Sequence, residues 1–155
     1  MYKKVLLAYD GTTEGRRALR EGAKLAQMCG AEVLLLAVVD ISPGLLAAEG
    51  TTSGAIEQQQ EAYEEILQEG VRRLESVGFK PESRLAIGDP AERIGKVAKE
   101  IGADLVVVGH RQRSALVQWW AGSVASDLVS HLSCSLLIGQ KDLPDEAFQV
   151  VAPTV

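Results

Sequence analysis

The sequence predicts an open α/β domain, a parallel sheet with helices on both faces. Three observations predict it. Short, almost wholly apolar runs recur at residues 5–9, 33–39 and 105–108. Runs of that kind suit strands covered on both faces, whereas one-faced strands alternate apolar with polar residues. Between the runs lie segments whose apolar residues recur at helical spacing. Strand and helix signals therefore alternate, as in βαβ units.

Val5-Leu6-Leu7-Ala8-Tyr9 reads as the first strand, stopped by Asp10-Gly11-Thr12. Over 13–29, Ala18, Gly22, Leu25 and Cys29 fall on one helical face, with Leu19 and Ala26 beside them. Gly30 follows as the residue just past the helix end. Val33-Leu34-Leu35-Leu36-Ala37-Val38-Val39 is the second strand. Residues 40–54 hold Pro43 and three glycines and read as a loop. A polar helix is expected over 55–77, with Tyr63, Leu67, Gly70 or Val71, Leu74 and Val77 inward. Its Glu and Gln residues read as a solvated face.

A third, weaker strand spans 82–87. Gly88-Asp89-Pro90 announces the next helix, with Asp89 as cap, Pro90 at the first helical position and Glu92 completing a capping-box pattern. Ile94, Val97, Ala98 and Ile101 form its buried face and Gly102 ends it. Leu105-Val106-Val107-Val108 is the fourth strand, ending at Gly109. After thirteen residues, 110–122, Ser123 caps a last helix with Val124, Leu128 and Leu132 inward. Residues 134–138 are the fifth strand. The organisation expected is one domain over 1–140 and a tail over 141–155, whose Phe148-Gln149-Val150-Val151 offers itself as an extra edge strand.

The first, second and fourth strands are the most apolar and belong in the middle. An order of 3-2-1-4-5 puts them there. The point where strand order reverses then lies between strands one and four, and open sheets bind ligands there, beyond the carboxyl ends of the strands. The loops meeting at that point are Asp10-Gly11-Thr12 and the stretch from Gly109 to Ser123. Glycine lets backbone amides approach an anion, and a helix start capped by Ser123 offers free N–H groups.

Composition narrows the function classes. Sixteen Lys+Arg against 21 Asp+Glu give a net charge of −5, which argues against a nucleic-acid partner. No apolar run reaches the ~18 residues of a membrane helix. Met1-Tyr2-Lys3-Lys4-Val5 meets Asp10 too early for a signal peptide, so a cytoplasmic location is expected. Cys29 and Cys134 are too few for a disulfide framework and read as small buried apolar residues. Phosphate-binding G-x-x-x-x-G-K-[ST], dinucleotide G-x-G-x-x-G and nucleophile-elbow G-x-S-x-G patterns are all absent, and His110 and His131 make no metal pattern with the cysteines.

The motifs that are present resemble the universal stress protein family over about residues 3–139. They are Val5-Leu6-Leu7-Ala8-Tyr9-Asp10 followed by Thr12, Ala37-Val38-Val39-Asp40, Gly88-Asp89-Pro90, Leu105-Val106-Val107-Val108-Gly109, Gly122-Ser123-Val124 and Cys134-Ser135-Leu136-Leu137-Ile138. The resemblance implies a Rossmann-like sheet of order 3-2-1-4-5, a homodimer through the fifth strand, and a bound adenine nucleotide, ATP or AMP. It implies regulation rather than catalysis. The family's phosphate motif is G-x2-G-x9-G-[ST]. Gly109 fills its first position and Gly122-Ser123 its last two, while Gln112 stands where the middle glycine is expected. By the same resemblance Asp10 lies near the ribose or a phosphate-held Mg ion, Val38 contacts adenine through its backbone, and Gly88 lies near the ribose. Ala8, Tyr9, Val108, His110, Arg111 and Val124 complete the implied nucleotide site.

Some residues keep two readings. Arg111 and Arg113 either neutralise phosphates or are solvated loop arginines. Trp119-Trp120 packs on the domain or at a partner. Gln112 keeps a second function class open, an interaction protein of the same fold that binds no nucleotide. A third, an ATP pyrophosphatase of related fold, lacks the Ser-Gly-Gly-x-Asp-Ser loop such enzymes carry after the first strand.

Overall fold

A computed structural model of the chain describes residues 1–41, 53–110 and 127–149. Five strands, β1 (Lys4–Ala8), β2 (Glu32–Asp40), β3 (Glu82–Gly88), β4 (Leu105–Gly109) and β5 (Ser135–Gly139), form one sheet in the order β3-β2-β1-β4-β5. Every pairing is parallel. The expected order is therefore the observed one.

Helix α1 (Thr13–Cys29) begins where Thr12 accepts a hydrogen bond from the Gly15 amide at 3.0 Å, and ends at Gly30 in the left-handed conformation. Helix α2 (Ser53–Ser76) follows β2. Helix α3 (Pro90–Ile101) starts as expected: Asp89 accepts from the Glu92 amide at 2.9 Å, and Pro90 takes the first turn. Residues 127–131 are helical before β5.

Alternation along the strands splits the core in two. Val5, Leu7, Leu35, Ala37 and Val107 point to one face, under α1 and α2. Leu6, Leu34, Leu36 and Val106 point to the other, where Ile94, Val97 and Ala98 of α3 and Leu128 cover them. Each leucine buried this way contributes roughly 1.5–3 kcal/mol. Helix α1 lies especially close to the sheet because Gly22 faces it. A Cβ there would sit 2.5 Å from Leu7 Cδ2 and 3.0 Å from Val107.

Several boundaries differ from the expected ones. Helix α2 ends at Ser76, so Val77 lies in the following turn, where its amide bonds the Leu74 carbonyl. β5 starts at Ser135, leaving Cys134 outside it. Gly15 and Ala23 join the buried face of α1, while Leu25 and Cys29 are only half-buried at its margin. Both cysteines are free and half-buried, not buried, and partial burial pushes the Cys134 thiol up. The acidic face of α2 is not all solvated: Glu69 turns inward to Tyr9.

The described part of the tail is not a strand. Asp145–Phe148 is a turn of 3-10 helix, and Phe148 is buried against the α1 side of the core. Arg20 of α1 donates to the Leu143 carbonyl, pairs with Asp145 at 2.6 Å and lies over the Phe148 ring. Glu21 accepts from the amides of Gln140 and Lys141. An aromatic ring gains more from this apolar seat than from edge pairing in water. Val150 and Val151 lie outside the described residues.

Candidate functional site at the carboxyl edge of the sheet

The connections after β1 and β4 leave on opposite faces. The chain passes from β1 into α1 on one side, and from β4 toward residues 127–131 on the other. A crevice opens between them at the carboxyl edge, as at other topological switch points.

Its first wall is the turn after β1. The Asp10 carboxylate accepts from the Thr12 amide at 3.0 Å and the Thr12 hydroxyl at 2.6 Å. Gly11 takes φ +76°, which glycine tolerates. Thr12, not Asp10, caps α1, and Asp10 braces the cap. The helix start packs tightly against this brace, since a Cβ on Gly15 would run into the Asp10 carboxylate. Gly109 closes the other wall: a Cβ there would lie 3.0 Å from the backbone of Glu14 and Gly15.

The floor is apolar. Ala8, Val38 and Val108, at the ends of β1, β2 and β4, all point to the α3 face and remain half-buried. Ala8 pairs with Leu36, so Val38 and its β3 neighbour Ala86 stand two residues further along the strands on the same face. Four small apolar side chains thus form a stepped shelf beyond the covered core. Gly88 closes the β3 end with φ +145°, a conformation that excludes other residues.

The structure brings Ala8, Asp10, Val38, Gly88, Val108, Gly109 and His110 to this one edge, His110 being exposed there. Tyr9 belongs to the edge by its backbone alone. Its amide donates to the Leu36 carbonyl, while its phenol is buried on the α1–α2 side and donates to Glu69. Arg111, Gln112, Gly122, Ser123 and Val124, with Arg113, Trp119 and Trp120, lie outside the described residues. Among the described residues no cluster of His, Cys, Asp or Glu is arranged to hold a metal ion.

Two features escaped sequence reasoning. Arg93 of α3 folds over Gly88, and its Nε is buried with no hydrogen-bond partner among the described residues. A buried donor left unpaired costs about 1–3 kcal/mol, so it marks a place where an acceptor is wanted. The Gly88-Asp89-Pro90 turn signalled the helix start, but nothing in it pointed to a donor five residues on. The second is the group formed by Tyr9, Glu69, Arg73 and Arg16 across α1 and α2. Its members are up to 64 positions apart in the chain, and only the crossover brings them together.

Comparison with known proteins agrees with this fold. The chain is 31% identical over 142 residues to the universal stress protein MJ0531 of Methanocaldococcus jannaschii, covering 91% of this chain and 84% of that protein. The solved structure of protein MJ0577 from the same organism superposes with a TM-score of 0.74 at 25% identity, covering 93% of this chain and 99% of that one. A universal stress protein of Archaeoglobus fulgidus, solved in complex with dAMP, superposes with a TM-score of 0.61 at 23% identity, covering 89% and 98%. At that identity the likeness is one of fold. The model of the universal stress protein family matches residues 1–139, which include all five strands and both walls of the crevice, and the chain belongs to that family.

Proposed function

We propose that the protein binds an adenine nucleotide, AMP or ATP, at the carboxyl edge between β1 and β4, and acts by binding rather than by turnover. The observation that carries this reading is the half-exposed shelf of Ala8, Val38, Ala86 and Val108 at the switch point. An apolar floor suits the face of a purine. The Asp10 carboxylate, held at the crevice wall by Thr12, is an acceptor of the kind that suits ribose hydroxyls. Arg93 Nε supplies a donor at the Gly88 end. Gly109 and the sequence Gly122-Ser123 suit phosphates through backbone amides. The Archaeoglobus relative's complex with dAMP supports the class of ligand. A Mg ion would be held through the phosphates near Asp10.

Calorimetric titration with AMP and ATP tests this. Wild type is expected to bind one of them, and Gly122→Val to abolish binding, because a branched side chain would occupy the phosphate's place. A second reading is an interaction protein without nucleotide, which Gln112 favours. If wild type is inert toward both nucleotides and Gln112→Gly binds, that reading holds and Gln112 is the reason.

A further inference from the structure

The arginines of this acidic chain are unevenly placed. Four of its nine line one cleft: Arg16, Arg17 and Arg20 from α1 and Arg73 from α2. No lysine does. The cleft has a volume of about 390 Å³, and the tail closes it with Asp142 and Asp145. It lies on the α1–α2 side of the molecule, whereas the shelf of the nucleotide crevice faces α3.

Three of the four guanidinium groups are not used up by the fold. Arg20 is engaged by the Leu143 carbonyl and Asp145. Arg73 bonds Glu69 through Nε, and Arg16 reaches the same carboxylate only at 3.9 Å. Glu69 also accepts from the Tyr9 hydroxyl. Arg17 has no hydrogen bond or ion pair among the described residues. Arg16 and Arg73 therefore share one carboxylate, and Arg17 has none. Arg16 and Arg17 also sit close to the amino end of α1, where the helix dipole adds to their positive potential instead of offsetting it. Arginine is the side chain whose planar fork matches the oxygens of phosphates.

We infer that this cleft is a second anion site, separate from the nucleotide crevice, for a small ligand carrying more than one phosphate charge. Arg16, Arg17 and Arg73 hold the phosphate oxygens and Arg20 keeps the tail wall in place. Asp142 has no ion pair among the described residues and opposes the anion from that wall. Its position gives the proposal a test of sign as well as size.

Inorganic pyrophosphate is the probe, titrated calorimetrically into the full-length protein and into variants whose melting and circular dichroism match wild type. Wild type binds pyrophosphate. Arg17→Gln, which breaks no observed contact, weakens binding about tenfold, the scale of one charge-assisted hydrogen bond. Arg73→Gln weakens it similarly. Asp142→Asn tightens it, by removing like charge. Gly122→Val leaves pyrophosphate binding intact while testing the crevice, and AMP titrations of the Arg17 and Asp142 variants match wild type. No binding by wild type overturns the inference. So does equal binding by Arg17→Gln, or loss of pyrophosphate binding in Gly122→Val alone, which would put the anion in the crevice.

Discussion

At the end of β1, Tyr9 sends its phenol away from the shelf and into the core beside α2, where Glu69 accepts a hydrogen bond from it. Burial first, and then the hydrogen bond to Glu69, push the Tyr9 hydroxyl up to about 12. Burial alone would raise Glu69, but its bonds from Tyr9 and Arg73 outweigh that and hold it below the usual carboxylate range. The two shifts act at opposite ends of the pH scale. A raised tyrosine contributes stability in full below its ordinary value near 10 and loses it as pH climbs through about 12. A depressed carboxylate contributes above its ordinary value and loses it as pH falls through the folded one. Urea unfolding of wild type should therefore show a loss of stability from pH 10 toward 12 that Tyr9→Phe lacks. At pH 7 the same variant should be less stable by about 1 kcal/mol, one hydrogen bond. An equally steep alkaline loss in Tyr9→Phe would place its origin elsewhere. None of this was legible beforehand, since an isolated tyrosine at a strand end reads as apolar and a glutamate in an acidic helix reads as solvated.

Elements were legible where local chemistry decides them and illegible where long-range packing does. The capping chemistry of Asp89 and Pro90 and the left-handed Gly30 and Gly102 set helix ends that needed no tertiary information. The apolar runs of β1, β2 and β4 announced burial on both faces. The tail, by contrast, carries no periodicity, and its place depends on Arg20 and Gln27 more than a hundred positions earlier. Phe148 is the residue that docks it, at 7% exposure. Phe148→Ala should cost about 3 kcal/mol, the lower range for removing a buried aromatic ring. It should leave AMP affinity unchanged, since the ring sits on the face away from the shelf. Thermal unfolding and calorimetry together read both quantities. A change below about 0.5 kcal/mol would mean that the tail is a surface strap and no part of the core. The carboxyl edge was legible only in part for a similar reason. Ala8, Val38 and Val108 share a face by strand alternation, but the orphaned Arg93 donor arises from a helix folding over Gly88.

For the whole molecule, the sheet leaves two edges, and they differ in kind. β3 exposes Glu82, Ser83 and Arg84, two of them charges of the sort that keep an edge strand from pairing. β5 carries no charge, only Ser135-Leu136-Leu137-Ile138-Gly139, with Ile138 38% exposed. Among the described residues no strand lies beyond it, and the described part of the tail is docked on α1. An uncharged, apolar edge of unpaired N–H and C=O groups invites addition of another strand. A second copy of the same edge about a two-fold axis satisfies both copies and leaves nothing open to a third, so assembly stops at two. We therefore expect a homodimer through β5. Ile138→Lys places a charge on the exposed side without touching the core or the β4 ladder, so the fold should survive. Light scattering at micromolar protein should give a dimer for wild type and a monomer for Ile138→Lys, with matching near-ultraviolet circular dichroism. A monomeric wild type would dismiss the dimer. A dimer that persists in Ile138→Lys would move the interface away from β5, and Trp119-Trp120, outside the described residues, would be the next place to change.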